Sequence, residues 1–216
     1  MDAEDLTARR NAVGTLGSAL RELVDAAVGT EVSVADLEAA ATTAGQLAMR
    51  LRAEFRDLHE IPSVDDPATG ERWYSPVYGP GNPVAPPLMA EHTPDGRATG
   101  RVVLGQAHEG PPGLVHGGVV AALFDHMLAR AVRAGGRGGL TAELTVTYRR
   151  PVRLGVPLLL TAKMVDADGR RTTARSRLIA EDDPGTTLAE AEGMFVAPRP
   201  DVTAEDFSPA RLDDDA

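Results

Sequence analysis

The chain contains no cysteine. Disulfides, catalytic thiolates and cysteine metal ligands are therefore excluded together. No apolar run approaches the ~20 residues that a membrane-spanning helix needs. The acidic start, Met1-Asp2-Ala3-Glu4-Asp5, is the reverse of the basic and then apolar order of a secretory signal. Positive charge is in deficit, with 22 Lys and Arg against 32 Asp and Glu, a net charge of −10. Nucleic acids and anionic membrane surfaces both recruit dense basic patches, and a chain this acidic presents a repulsive field to either. Hydrophobic content of 43% with 25% charged residues is ordinary for a globular fold. These absences lead us to expect a soluble cytoplasmic protein with neither a nucleic-acid nor a membrane partner.

The deficit is not spread evenly. Residues 1–60 hold eleven acids and six bases, residues 201–216 hold six and one, and residues 61–200 hold fifteen of each. The acidity belongs to the flanks, and the middle is neutral. In the first flank Leu6, Val13, Leu16, Leu20, Leu23 and Val24 recur at helical spacing, as do Leu37, Ala40, Ala44, Leu47, Leu51 and Phe55. Ser33, three residues before Asp36, supplies a capping-box start for the second helix. This is the pattern of a helical hairpin that packs on its own domain or on a partner subunit. Seven prolines between His59 and Pro87 exclude regular helix or central strand there, with Trp73 and Tyr74 as aromatic anchors holding that stretch to the core. We therefore expect a helical extension over 1–60, a proline-rich connection over 61–85, a main domain over 86–198 and an acidic tail over 199–216.

Within the main domain the pattern changes to period two. Leu140, Ala142, Leu144, Val146 and Tyr148 alternate with Thr141, Glu143, Thr145, Thr147 and Arg149, as in a half-buried strand. Further strands fit 86–94, 98–105, 156–166, 171–181 and 186–196, with Asp168-Gly169 as a hairpin turn. One segment interrupts them: 117–133 is apolar on almost every face, which predicts a buried helix. The predicted class is α+β, a curved antiparallel sheet of five to six strands wrapped around one buried helix.

Asp125 lies in that helix. A carboxylate among apolar neighbours costs several kcal/mol to desolvate unless it is partnered or used, and burial raises its pKa toward that of a general base. Just upstream, Pro111-Pro112-Gly113-Leu114-Val115-His116-Gly117-Gly118 delivers the chain to the helix N-terminus, where amides without intrahelical partners face outward. Such a terminus suits a developing oxyanion. At ~100° per residue, His116 and Asp125 lie on opposite sides of the helix axis. One subunit therefore struggles to aim both at one atom, and a twofold pair can do it.

The run His116-Gly117-Gly118-Val119-Val120-Ala121-Ala122-Leu123-Phe124-Asp125 resembles the HGG…D signature of hotdog-fold acyl-CoA thioesterases of the phenylacetyl-CoA (PaaI-like) and thioesterase-superfamily type. The resemblance covers roughly 75–198, including Tyr148-Arg149-Arg150-Pro151-Val152-Arg153-Leu154-Gly155, and leaves residues 1–60 outside. It implies Asp125 as the catalytic carboxylate, Gly117 as the oxyanion amide and His116 as the histidine before it. Gly118 would line the substrate, and Thr141, sixteen positions beyond Asp125, would support the carboxylate or the water. Where several relatives carry an amide side chain before the histidine, this chain has Gly110 beside Glu109.

The implied reaction is hydrolysis of acyl-CoA, with Asp125 acting as base or nucleophile. The implied assembly is a homodimer or a dimer of dimers. Coenzyme A is then part of the substrate, with no cofactor and no metal, since the five histidines show no metal spacing. Its phosphates would be met by Arg149, Arg150 and Arg153 at a strand end, or by Arg175 and Arg177 on one strand face. A non-catalytic acyl-CoA sensor and a hotdog hydratase are the other functions such a fold carries. A carboxylate at Asp125 weighs against the first, and the lack of an Asp-and-His or His-and-Glu pair at the needed spacing weighs against the second.

Overall fold

The computed structural model describes residues 2–58, 60–66 and 69–199. The acidic tail expected over 199–216 lies outside the described residues apart from Arg199. Helix α1 spans Ala3–Gly29 and opens on Asp2, whose side chain accepts the Asp5 N–H at 2.8 Å. Helix α2 spans Val34–Leu51 and opens on Ser33, whose hydroxyl accepts the Asp36 N–H and donates back to the Asp36 carboxylate. The Ser33 start read from sequence is present, with Asp36 meeting the Ser33 hydroxyl rather than its backbone N–H.

Six antiparallel strands follow: β1 Met89–Thr93, β2 Arg97–Val102, β3 Leu140–Tyr148, β4 Leu158–Asp168, β5 Arg171–Ala180 and β6 Ala189–Val196, in the order β1-β2-β4-β5-β6-β3. Gly169, at φ 52°, takes the first position of the two-residue β4–β5 turn, where a side chain would be strained. Helix α3, Gly117–Ala134, lies across one face of the sheet. This is the hotdog arrangement.

The core is the seam between that helix and the inner face of the sheet. Leu123, Phe124, Met127 and Leu128 are fully buried against Leu104, Leu158, Leu160, Leu178 and Phe195. Each such side chain contributes roughly 1.5–3 kcal/mol of transfer free energy. The helix is not buried all round, however. Its closed side is a stripe from Val120 to Val132, while Ala121, Ala122 and Asp125 are only half-buried. Those residues flank β3, which ends the sheet and leaves one side of its backbone unpaired.

The two N-terminal helices behave differently. Helix α1 clamps the proline-rich stretch: Arg21 donates to the carbonyls of Pro80 and Asn82 at 3.1 Å, and Arg10 donates to the Val64 carbonyl and pairs with Glu71 at 3.2 Å. Gly17 lies so close to the Pro80 carbonyl that a Cβ there would overlap it. Trp73 anchors the stretch as expected, packing under Arg10 at 5.3 Å from the ring centroid. Helix α2 buries none of its residues, and Leu37, Met49 and Leu51 stay exposed. The amphipathic repeat was legible, but within the described chain nothing covers its apolar face.

Candidate functional site

Three of the four N–H groups that open α3 are already taken. Gly118 donates to His116 Nδ1 at 3.0 Å, and Val119 and Val120 donate to the His116 carbonyl. Gly117, at the first helical position, has no acceptor inside its own helix, so its amide is the one left to face a ligand. Because His116 Nδ1 accepts a hydrogen bond, the neutral ring carries its proton on Nε2, which can donate outward. The loop is held in place from two sides: His116 N–H donates to the His108 carbonyl at 2.9 Å, and Val115 N–H donates to the Val152 carbonyl at 2.8 Å.

Tyr148, at the end of β3, donates its hydroxyl to the Gly117 carbonyl at 2.8 Å. Sequence reasoning placed Tyr148 on the inner face and gave it no further role. Its hydrogen bond ties the N-terminal end of the helix to the edge strand.

At the other end of β3, Thr141 donates its hydroxyl to Asp125 Oδ1 at 2.7 Å. The alternation read from sequence sets Thr141 on the face opposite Leu144 and Val146, turned away from the helix. A β-bulge at Ala142 corrects this. Thr141 pairs with Phe195 and Glu143 with Met194, so Ala142 is the extra residue. The bulge shifts the alternation by one position, which turns Thr141 inward and leaves Leu140 60% exposed. Asp125 is half-buried rather than enclosed. Its first oxygen is engaged by Thr141, and the second is available to a substrate or a water.

Of the five candidate arginines, Arg175 and Arg177 lie on the outer face of the sheet, opposite α3. Arg149 pairs with Glu190, Arg175 pairs with Glu192 at 2.5 Å, and Arg177 donates to the Pro184 carbonyl. Arg150 and Arg153 are exposed where the chain leaves β3, and Arg153 forms a backbone bridge with Leu114 in the loop before Gly117. Arg153 is thereby tied to the loop that leads to the free Gly117 amide.

Two further histidines differ in surroundings. His126 stacks on Tyr78 at 4.0 Å between ring centroids, and burial, aided by Arg130 and Arg133, pushes its imidazole down to about 3. It is a neutral packing residue. Burial also lowers the pKa of His108, opposed by the Gly105 carbonyl and Asp25.

A solved structure of a thioesterase superfamily protein is 38% identical to this chain, with a TM-score of 0.75, covering 85% of this chain and 94% of that one. The chain belongs to the thioesterase superfamily. A model of that superfamily matches residues 112–187, which carry the whole of α3 and Thr141. Acyl-coenzyme A thioesterase THEM4 of Xenopus laevis is 36% identical over 89 residues, 41% of this chain. That of Bos taurus is 29% identical over 96 residues, 44% of this chain. The match spans about 39% of the length of each of these two curated relatives. As a superfamily member the chain carries the hotdog fold in the form expected from its HGG…D run. Among the described residues, no helix is long and apolar enough to cross a membrane.

Proposed function

We propose that the protein is an acyl-CoA thioesterase whose site is completed across a twofold dimer. The observation that carries this reading is the split of the site between the two ends of one edge strand. Asp125 and Gly117 are eight residues apart on α3, about 12 Å of helical rise. No thioester carbonyl reaches both by hydrogen bonding within one chain. Edge strand β3 offers a template for a second copy. Antiparallel pairing of two β3 strands about Leu144 sets the Thr141 end of one copy beside the Val146–Tyr148 end of the other. The carboxylate end of one chain then meets the amide end of its twin.

In the assembled site the Gly117 N–H of one protomer polarises the thioester carbonyl and His116 Nε2 offers a second donor. Gly118 lines the approach. Asp125 of the other protomer either takes a proton from water as water attacks, or attacks the carbonyl carbon itself. In both routes the C–S bond breaks and the coenzyme A thiolate leaves, giving the free acid directly in the first and, in the second, an acyl anhydride on Asp125 that water then hydrolyses to the free acid. Thr141 acts through Asp125 as a positioning residue, holding one oxygen so that the other points at the reacting centre. Arg150 and Arg153 fit the nucleotide phosphates of the leaving coenzyme.

Asp125→Asn tests the reading. It keeps size and accepts the Thr141 hydrogen bond but removes both the base and the nucleophile, so acyl-CoA hydrolysis followed by free-thiol release should fall by about three orders of magnitude or more. Survival within a few-fold sinks the assignment. If no acyl-CoA is turned over by the unaltered protein but one is tightly bound, a sensor takes its place.

A further inference from the structure

Helix α1 lies outside the segment that the superfamily model matches, yet it forms one wall of a groove of about 700 Å³ that reaches the first turn of α3. Val24 of α1 faces Val84, Pro87, Val103 and Val119 across this space. Val119 is two residues past Gly117, about 3 Å of helical rise from the free amide. Resting on the thioesterase reading, we propose that this groove receives the acyl group of the substrate, and that α1 sets the length of aliphatic chain accepted.

Three features of the groove point that way. Its volume falls within the roughly 300–1,000 Å³ of small-molecule sites. Its described lining is largely apolar and contains no Phe, Tyr or Trp on which an aromatic acid would stack, so a flexible aliphatic chain suits it better. Two of its three charged members are already engaged, Arg21 by the Pro80 and Asn82 carbonyls and Asp25 by the Ala107 N–H at 3.2 Å, and the third, Glu22, is exposed. His108 also lines the groove, with a buried Nδ1 that has no partner, and its lowered pKa leaves the ring neutral at pH 7.

The wall is also fixed. Gly105 sits so close to Asp25 that a Cβ there would overlap the carboxylate, and Gly29 is as close to the Gln106 side chain. These contacts seat the C-terminal half of α1 on the turn Gln106–His108, whose last residue holds His116 through its carbonyl. Groove and oxyanion amide therefore share one support.

The test is Val24→Trp, which fills the groove from α1, beside Val28→Trp, one turn on and outside the groove lining. Two readouts are taken in the full-length protein: kcat/KM for acyl-CoAs from acetyl to palmitoyl, and equilibrium binding of a non-hydrolysable dodecyl-CoA thioether. Val24→Trp should lower kcat/KM for chains of twelve carbons or more by at least about tenfold through KM, with acetyl-CoA changed less than about twofold, and weaken thioether binding in step. Val28→Trp should leave both unchanged. An unaltered chain-length profile and unaltered thioether binding in Val24→Trp overturn the inference even if hydrolysis is robust. Loss of thioether binding in Val24→Trp, in a protein that hydrolyses nothing, supports the groove while removing the thioesterase reading.

Discussion

In the proposed site the two ends of β3 hold opposite halves of the same chemistry. At the Thr141 end, a hydroxyl fixes a carboxylate in mid-helix. At the Tyr148 end, a hydroxyl fixes the carbonyl of the residue whose amide opens that helix. Each half has its own strand-borne hydrogen bond, and under the proposal neither half is a site alone. The edge strand is thus both the frame that positions the two halves and the surface on which a twin chain would bring them together.

The largest effect at the amide end should come from Gly117→Pro. Proline is tolerated at the first helical position, His116 already has the extended backbone (φ −62°, ψ 132°) that a residue before proline adopts, and the nearest atoms to a Cβ at Gly117 belong to Tyr148, at 3.4 Å or more. The substitution removes one N–H and little else. It should lower kcat about 10²- to 10³-fold, as loss of one oxyanion donor does, with an unchanged circular-dichroism melt. A variant that keeps its rate places the oxyanion contact elsewhere.

A smaller contrast separates the two hydroxyls. Thr141→Val keeps shape but frees the Asp125 carboxylate, and it should lower kcat about 10- to 100-fold with KM little changed, with Thr141→Ser restoring most of the rate. Tyr148→Phe should cost only a few-fold, since the Gly117 carbonyl it meets takes no part in the chemistry. If the order is reversed in parallel steady-state assays, the division of labour along β3 is wrong.

The smallest effect on turnover is expected on the closed side of the helix, at His126. Its folded pKa, about 3, lies below the unfolded value near 6.5. Between these values the unfolded chain binds the extra proton, so stability rises with pH, is fully present above about 6.5, and is lost as pH falls toward 3. The size is on the order of a few kcal/mol. His126→Phe should flatten the fall of melting temperature between pH 6.5 and 4, while activity at pH 7.5 stays within a few-fold.

Much of this was legible in the residues themselves. The span of α3 and the position of Asp125 within it followed from periodicity, and the sixteen-residue step to Thr141 from the family resemblance that the HGG…D run carries. The bulge at Ala142 did not, because a strand pattern shows which residues alternate and not where a ladder slips by one. Nor did the partners of Arg149 and Arg175, since Glu190 and Glu192 come from β6 by a register that only the folded sheet defines. Helix α2 marks a further limit. Its periodicity reports an apolar face, and what covers that face depends on surfaces beyond the helix.

Complementation between two disabled chains tests the central claim most directly. Asp125→Asn and Gly117→Pro protomers, co-expressed with different tags and purified on both, form mixed dimers in which one site joins an intact Gly117 to the intact Asp125 of the other chain. A site built across the twofold predicts recovery of about half the unaltered rate per dimer, from two parents that are each nearly inactive. Recovery no greater than the parents', or the absence of any doubly tagged species, would contradict it.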